Sequence, residues 1–296
     1  MKTALVTGGA GFIGSHLVDG LVRRGYKVVV LDNFLTGVYE NLKGLPVSIE
    51  CGSVTDLGLV RRLVGQTDYV FHLAAITSVP WSMAHPEETR DTNVVGTDYV
   101  LSAASDAGVK KVAYASSSAV YGQSSLPLME DMEPSPESPY GSTKLEGELI
   151  AQALAQCVCL RYFNVYGPRQ RRESGAVIPR FIHNVLEGKP PVIYGDGMQT
   201  RDFVFVADVV AATIMMAENG VSGVFNIGSG ETVTVNELLN SVVSVFGKPI
   251  QPEYRGVRRG DVLHSAPNIT KAQSYGFFPS YSLMQGIEAT VKEATC

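Results

Sequence analysis

The stretch Ala4-Leu5-Val6-Thr7-Gly8-Gly9-Ala10-Gly11-Phe12-Ile13-Gly14 decides the fold. Ala4–Thr7 reads as a short β run, and Phe12–Arg24 reads as a helix that stops at Gly25. Gly8, Gly11 and Gly14 therefore lie between a strand and a helix, the context that gives a common glycine pattern its meaning. Gly8 permits the tight turn, Gly11 lets backbone approach a pyrophosphate, and Gly14 lets the helix pack close to the sheet. The helix N-terminus adds N–H donors and a positive dipole end. A buried strand, Lys27–Leu31, follows and ends in Asp32. A carboxylate there accepts hydrogen bonds from adenosine ribose hydroxyls and repels a 2′-phosphate. Neither Asn33 nor Phe34 supplies the positive charge that NADP would want, so the expected cofactor is NAD.

Outward from this loop, strand-like runs recur at Val47–Glu50, Tyr69–Leu73, Val112–Ala115 and Val158–Phe163. Helical patterns fill the gaps, notably Glu87–Ala107 and Ser142–Gln156. That alternation predicts an α/β fold, a Rossmann-type doubly wound parallel sheet. The pattern changes after Tyr166-Gly167-Pro168, where Arg, Pro and Gly become frequent and the strand-like pieces Pro191–Tyr194 and Phe203–Val206 are short. The Asp208–Glu218 helix and the Val224–Ile227 strand still look sheet-associated. The expectation is a NAD-binding domain over 1–164 with a return segment at about 204–228. A smaller, interleaved substrate-binding lobe would take 165–203 and 229–296.

Composition narrows the function. The 296 residues are 45% hydrophobic and 18% charged, ordinary for a soluble globular protein. A net charge of −5 argues against non-specific nucleic-acid binding, which needs a basic footprint. The short basic runs Arg169–Arg172 and Arg255–Arg259 suit a phosphate-bearing small molecule better than a duplex. No apolar stretch is long enough to span a membrane, and Met1-Lys2-Thr3 runs straight into a strand, so the expected location is cytoplasmic. Cys51, Cys157, Cys159 and Cys296 lack metal-ligand spacing, as do His16, His85, His183 and His264; no metal is expected. Cys157 and Cys159 should share a face as small buried hydrophobes.

The chemistry is in Tyr140-Gly141-Ser142-Thr143-Lys144, with Ser116-Ser117-Ser118 upstream. Tyr140 and Lys144 are one helical turn apart, so phenol and ammonium project from one face. A cation beside a phenol favours phenolate and pulls its pKa down from about 10. Such a base can take a proton from an alcohol near neutral pH. Base plus hydride acceptor means alcohol–ketone chemistry.

These residues resemble the NAD-dependent nucleotide-sugar epimerase/dehydratase branch of the extended short-chain dehydrogenase/reductase family. The likeness also includes His72-Leu73-Ala74-Ala75, Asn93, Ser116–Gly122, Arg161–Pro168, Gly195–Phe203, Asn226–Gly230 and Arg258–Asp261. The resemblance implies a catalytic hydroxyl at Ser117, with Ser118 beside it, a base at Tyr140, and Lys144 lowering its pKa and holding the nicotinamide ribose. It implies cofactor contacts at Gly8, Gly11, Phe12, Ile13, Gly14, Asp32, Asn33, Leu73, Ala74, Ala75 and Asn93. Asn164 and Arg201 would contact the nucleotide diphosphate, Arg258 would clamp phosphate, and Ser265 would control room around the sugar's 2-substituent. The loop Thr77–His85, carrying Trp81 and Met83, would border the sugar or pack in the core. His72 would line the cofactor cleft through its backbone. The helices Glu87–Ala107 and Ser142–Gln156 resemble the pair that forms a four-helix homodimer interface.

The chain departs from the family pattern at Gly52-Ser53, where an Asp commonly follows the Gly and binds the adenine amino group. It departs again at Ser118-Ala119: dehydratases and decarboxylases of this branch carry an acid just after the catalytic hydroxyl, and Ala119 cannot move a proton. What is implied is reversible C4 epimerisation of a UDP-hexose through a 4-keto intermediate, with UDP-glucose/UDP-galactose as substrates and, where the small Ser265 leaves room, the N-acetylhexosamine forms as well. The alternatives are a nucleotide-sugar dehydratase or decarboxylase, and a non-catalytic regulator, which should have lost the Tyr or the Lys.

Overall fold

Strand β1 (Thr3–Thr7) has Ala4, Leu5 and Val6 completely buried, and it delivers the chain through the glycine turn into α1 (Phe12–Arg23). This computed structural model describes residues 1–247, 249–257 and 263–295. Next come β2 (Lys27–Asp32), β3 (Ser48–Cys51), α2 (Leu57–Val64) and β4 (Tyr69–His72). The chain continues through α3 (Val79–Ala84), α4 (Pro86–Arg90), a π-helical turn at Asp91–Val95, α5 (Gly96–Asp106), β5 (Lys111–Ser117), α6 (Pro139–Gln152) and β6 (Cys157–Tyr162).

The second half begins with β7 (Asn164–Tyr166), α7 (Val177–Leu186), β8 (Val192–Tyr194), β9 (Thr200–Arg201), β10 (Phe203–Phe205) and α8 (Val206–Glu218). It ends with β11 (Gly223–Ile227), β12 (Val233–Thr234), α9 (Val235–Phe246), β13 (Glu253–Arg255), α10 (Thr270–Ser274) and α11 (Leu283–Ala294). One seven-stranded sheet, ordered β11-β6-β5-β4-β1-β2-β3, is parallel throughout. Its inner strands are apolar on both sides, as a sheet covered on both faces requires. Leu17, Val18 and Leu21 of α1 share one apolar cluster with Val209, Val210 and Ala212 of α8. A second cluster gathers Val60 and Leu63 of α2, Val100 and Leu101 of α5, and Ala151 of α6. Helices thus cover both faces of a Rossmann-type doubly wound sheet.

Outside this sheet, β7 pairs with β10, β8 with β13 and β9 with β12; α9 packs against β12 and α7, and α8 and α11 against β10. Ile178 and Phe181 of α7 and Leu238 of α9 join the same apolar cluster as α1 and α8. Among the described residues no helix is long and apolar enough to cross a membrane.

Three local expectations change. The Glu87–Ala107 helix is interrupted at Asp91–Val95, where the backbone takes one wider turn. Gly96 ends that turn against Val54, and a Cβ there would fall 2.6 Å from the valine Cγ2. The expected Thr77–His85 loop contains α3, which Ser78 caps by accepting from Trp81 N, with Pro80 in its first turn. Helix α6 starts at Pro139 instead of Ser142, because Ser138 accepts from Gly141 N and Pro139 presets the first turn. That places Tyr140 in the first turn of the helix.

Candidate active site

In the sheet order β1 and β4 are neighbours, and the chain departs from them toward opposite edges, so a crevice opens beyond their carboxyl ends. Gly8 lies on one wall, Leu73-Ala74-Ala75 on the other. Gly8 has φ +69°, and a Cβ on it would stand 2.8 Å from Ala74 N. A Cβ on Gly14 would run into the Gly8 carbonyl, so the helix start and the turn are pressed together. Gly11 is the N-cap of α1 and brings no side-chain cap, leaving the orphan first-turn amides, beginning with Phe12 and Ile13, of the kind that take an anion.

Asp32 is buried, and its Oδ2 accepts from Ala10 N at 2.9 Å while Oδ1 accepts from Phe34 N at 2.8 Å. The carboxylate therefore braces the glycine loop and keeps lone pairs for ribose hydroxyls. Asn33 is exposed, its Oδ1 accepting from Leu35 N at 3.1 Å. Ser53 Oγ pairs with Thr55 Oγ1 at 2.7 Å, a local turn bond in place of a carboxylate. A backbone cradle for pyrophosphate and a carboxylate at the end of β2 fit a dinucleotide.

Tyr140 is half-buried, and its N–H donates to Ser82 Oγ at 3.2 Å. Burial pushes its phenol above the usual range, and a hydrogen bond with the Ser117 hydroxyl opposes that rise. Ser117 Oγ also accepts from Ala119 N at 3.1 Å. Ser118 follows in the short helical turn Ser118–Val120 and is half-buried. Lys144 is 4% exposed; its Nζ donates to Ala115 O at 2.8 Å and lies 5.1 Å from the Tyr114 ring centroid. Burial pulls the Lys144 ammonium down to about 8, against the nearby Glu148 charge. Lys144 does not figure among the influences on the Tyr140 phenol. The ammonium is tied to the β5 carbonyl, and the downward influence on the phenol is the Ser117 hydroxyl.

Asn93, expected as a cofactor contact, spends its amide inside the protein. Oδ1 accepts from Ile76 N at 2.7 Å, while Nδ2 donates to Ile76 O at 2.9 Å and to Thr143 Oγ1 at 3.0 Å. Both amide hydrogens are committed, so Asn93 shapes the segment after Ala75 and has no donor left for a ligand. The π-turn that carries it is a frequent companion of functional sites.

Glu148 is a residue the sequence did not single out. Arg161 grips it twice, Nε to Oε1 at 2.9 Å and Nη2 to Oε2 at 2.8 Å, with both side chains buried, and Ser116 Oγ also donates to Oε1. The Arg161 guanidinium lies 4.6 Å from the Tyr121 ring centroid. Helix α6 is thereby fixed to β5 and β6 behind Ser117.

A cavity of about 420 Å³ opens in the second half of the chain, lined by Asn164, Arg172, Arg180, Tyr194, Arg201 and Arg255 among others. Four guanidinium groups around one cavity suit a diphosphate. Asn164 Nδ2 donates to Asp202 O at 2.8 Å, and Arg201 Nη1 donates to the Thr200 and Leu263 carbonyls at 2.9 and 3.2 Å. Arg172 and Arg255 belong to the basic runs read as phosphate-suited; Arg180, alone on an apolar helix, gave no such signal. Ser265 is buried, donates its N–H to Thr200 O at 3.1 Å, and is not among the residues lining this cavity. Arg258 lies outside the described residues.

The model of the NAD-dependent epimerase/dehydratase family matches residues 4–228. A putative UDP-glucose 4-epimerase of Methanocaldococcus jannaschii is 38% identical, over 97% of this chain and 96% of the relative. A UDP-N-acetyl-alpha-D-glucosaminuronate decarboxylase of Bacillus cytotoxicus is also 38% identical, over 98% of this chain and 97% of the relative. A UDP-N-acetylglucosamine 4-epimerase from Methanobrevibacter ruminantium M1, solved with UDP-N-acetylmuramic acid, superposes with a TM-score of 0.96 at 38% identity, covering 99% of this chain and 98% of that one. With the glycine cradle, the acidic end of β2 and the Ser117–Tyr140 pair on the same scaffold, the chain belongs to the NAD-dependent epimerase/dehydratase family.

Proposed function

We propose that the chain interconverts the C4 epimers of a UDP-hexose, with UDP-glucose and UDP-galactose as the first substrates to try. The observation that carries this reading is the Tyr140 phenol at the start of α6 with the Ser117 hydroxyl close enough to oppose the rise of its pKa, beside the Gly8–Ala74 cradle. NAD, when bound, supplies a reversible two-electron oxidation at the sugar C4. Tyr140 as its phenolate, which the positive charge of the NAD nicotinamide would favour against the burial, takes the proton of the 4-hydroxyl, keeps it while C4 is a carbonyl, and returns it to the oxygen. Ser117 orients that hydroxyl and donates to the charge developing on its oxygen. Lys144 holds the cofactor's ribose from the buried side of α6. Gly8, Gly11, Phe12, Ile13 and Gly14 hold its pyrophosphate, and Asp32 its adenosine ribose. Asn164, Arg201 and the three further arginines of the cavity anchor the nucleotide diphosphate while the freed sugar turns over.

Support for a UDP-sugar comes from the epimerase relatives, and the decarboxylase relative favours a second reading. Against that reading, Ala119 offers no acid next to Ser117. The discriminating experiment incubates the protein with UDP-glucose, UDP-N-acetylglucosamine and UDP-glucuronic acid, without added NAD, and follows the sugar protons by NMR. C4 inversion supports epimerisation; release of water or carbon dioxide turns the reading to elimination or decarboxylation. The resemblance assigns Ser265 to the room around the 2-substituent; on that proposal Ser265→Tyr should remove UDP-N-acetylglucosamine turnover before UDP-glucose turnover, and equal loss of both would drop Ser265 from the sugar pocket.

The lobes proposed are a NAD-binding domain over 1–164 with a return at about 204–228, and a nucleotide-sugar lobe over 165–203 and 229–296. A homodimer through α4–α5 and α6, where Leu149 is 62% exposed, completes the proposal, with the cytoplasm as its location.

A further inference from the structure

We propose that His72 is a positioning residue: a neutral imidazole protonated at Nε2, it is the centre of a one-way hydrogen-bond chain that locks the strand ends beside the glycine loop to the helix carrying Tyr140. His72 Nδ1 is 2.7 Å from Thr7 Oγ1, and Nε2 is 2.9 Å from Thr97 Oγ1. All three side chains are buried.

The direction of the chain follows from counting protons. Thr97 has one hydroxyl proton, and it goes to the Asn93 carbonyl at 2.6 Å. Thr97 Oγ1 must then accept from Nε2–H, which leaves Nδ1 bare. A bare Nδ1 takes the Thr7 hydroxyl proton, and Thr7 Oγ1 in turn accepts the amides of Leu73 and Ala74 at 3.2 Å each. In the opposite tautomer Thr7 Oγ1 would face three donors with its own proton unplaced, and Thr97 would have to abandon Asn93. Burial and the Lys144 charge pull the imidazole down to about 3, so it stays neutral at ordinary pH.

The chain ends on both halves of the site. At one end is the Ala74 amide, the atom that abuts Gly8. At the other, Asn93 binds Ile76 and Thr143, and Thr143 Oγ1 donates to the Tyr140 carbonyl at 2.8 Å. His72 thereby sets how far the catalytic helix stands from the cofactor cradle.

The first test is ¹⁵N NMR of the imidazole in the unliganded protein, which is independent of the proposed activity. The expected result is protonated Nε2 with bare Nδ1 from about pH 5 to 8; an Nδ1–H tautomer or an imidazolium in that range overturns the proposal. The second test is kinetic and rests on the epimerase reading. His72→Leu and Thr97→Val should each lower kcat about 10- to 100-fold, the cost of a misplaced reacting group, with the KM for nucleotide sugar nearly unchanged. Thr97→Ser keeps the hydroxyl and should keep kcat, and the His72→Leu/Thr97→Val pair should cost less than the two losses multiplied. A folded His72→Leu with parental kcat, or a Thr97→Ser as impaired as Thr97→Val, overturns it; should His72→Leu not fold, the Thr97 pair decides.

Discussion

Lys144 Nζ donates to the carbonyl of Ala115 at 2.8 Å, joining the helix that carries Tyr140 to the strand that carries Ser117. The bond holds a cation in a buried place, and the strain of that placement is measurable. Burial is the larger influence on its pKa, Glu148 the opposing one, and together they bring it from 10.5 to about 8. The unfolded chain therefore binds a proton between about pH 8 and 10.5 that the folded chain has released, so stability rises with pH in that window. Below it the burial cost is in full force, at roughly 3 kcal/mol. Lys144→Met should be more stable than the parent at pH 7 and lose that advantage toward pH 10.5, while losing activity. Urea unfolding at several pH values measures it, and parallel stability–pH curves would contradict it.

Glu148 and Arg161 form a buried pair with two hydrogen bonds. Removing one partner strands a buried charge, so Arg161→Met alone should cost about 3–5 kcal/mol. The double variant Glu148→Leu/Arg161→Met should be less damaged than Arg161→Met by itself. Denaturant midpoints of parent, single and double variants decide this, and a double variant less stable than Arg161→Met would contradict it.

The cavity arginines should act on binding rather than on chemistry. Arg180→Ala removes one charge-assisted contact, about 1.5–3 kcal/mol, and should raise the nucleotide-sugar KM about 10- to 100-fold. Its kcat should change little. Steady-state kinetics separate the two, and a fall in kcat at constant KM would move Arg180 away from the diphosphate.

The glycine turn and the one-turn spacing of Tyr140 and Lys144 were legible because backbone geometry forces them. Only Gly fits φ +69° against Ala74, and residues one turn apart must share a face. The parallel sheet was legible from alternation, since most of its strands are joined by a helix that returns the chain. The π-turn at Asp91–Val95 was not legible: one extra residue in a helix leaves apolar periodicity almost unchanged. Helix α3 carried a readable signal in Ser78 and Pro80, masked by a short and exposed run. Lys144 illustrates the limit for site chemistry. Spacing gives the face of the helix, and the reach of a flexible side chain to Ala115 O is decided by packing. Glu148 carries no mark in the sequence, because its partner Arg161 lies on β6 and only the packing of α6 on that strand brings the two together.

The Tyr140 phenol is the proposed group that removes and returns the proton of the 4-hydroxyl. C4 turnover by Tyr140→Phe, measured on folded protein with its cofactor content matched to the parent, tests this most directly. The predicted result is a kcat lower by about 10²- to 10⁴-fold, the size of general acid–base catalysis, with the substrate KM little changed. Turnover close to that of the parent would contradict it.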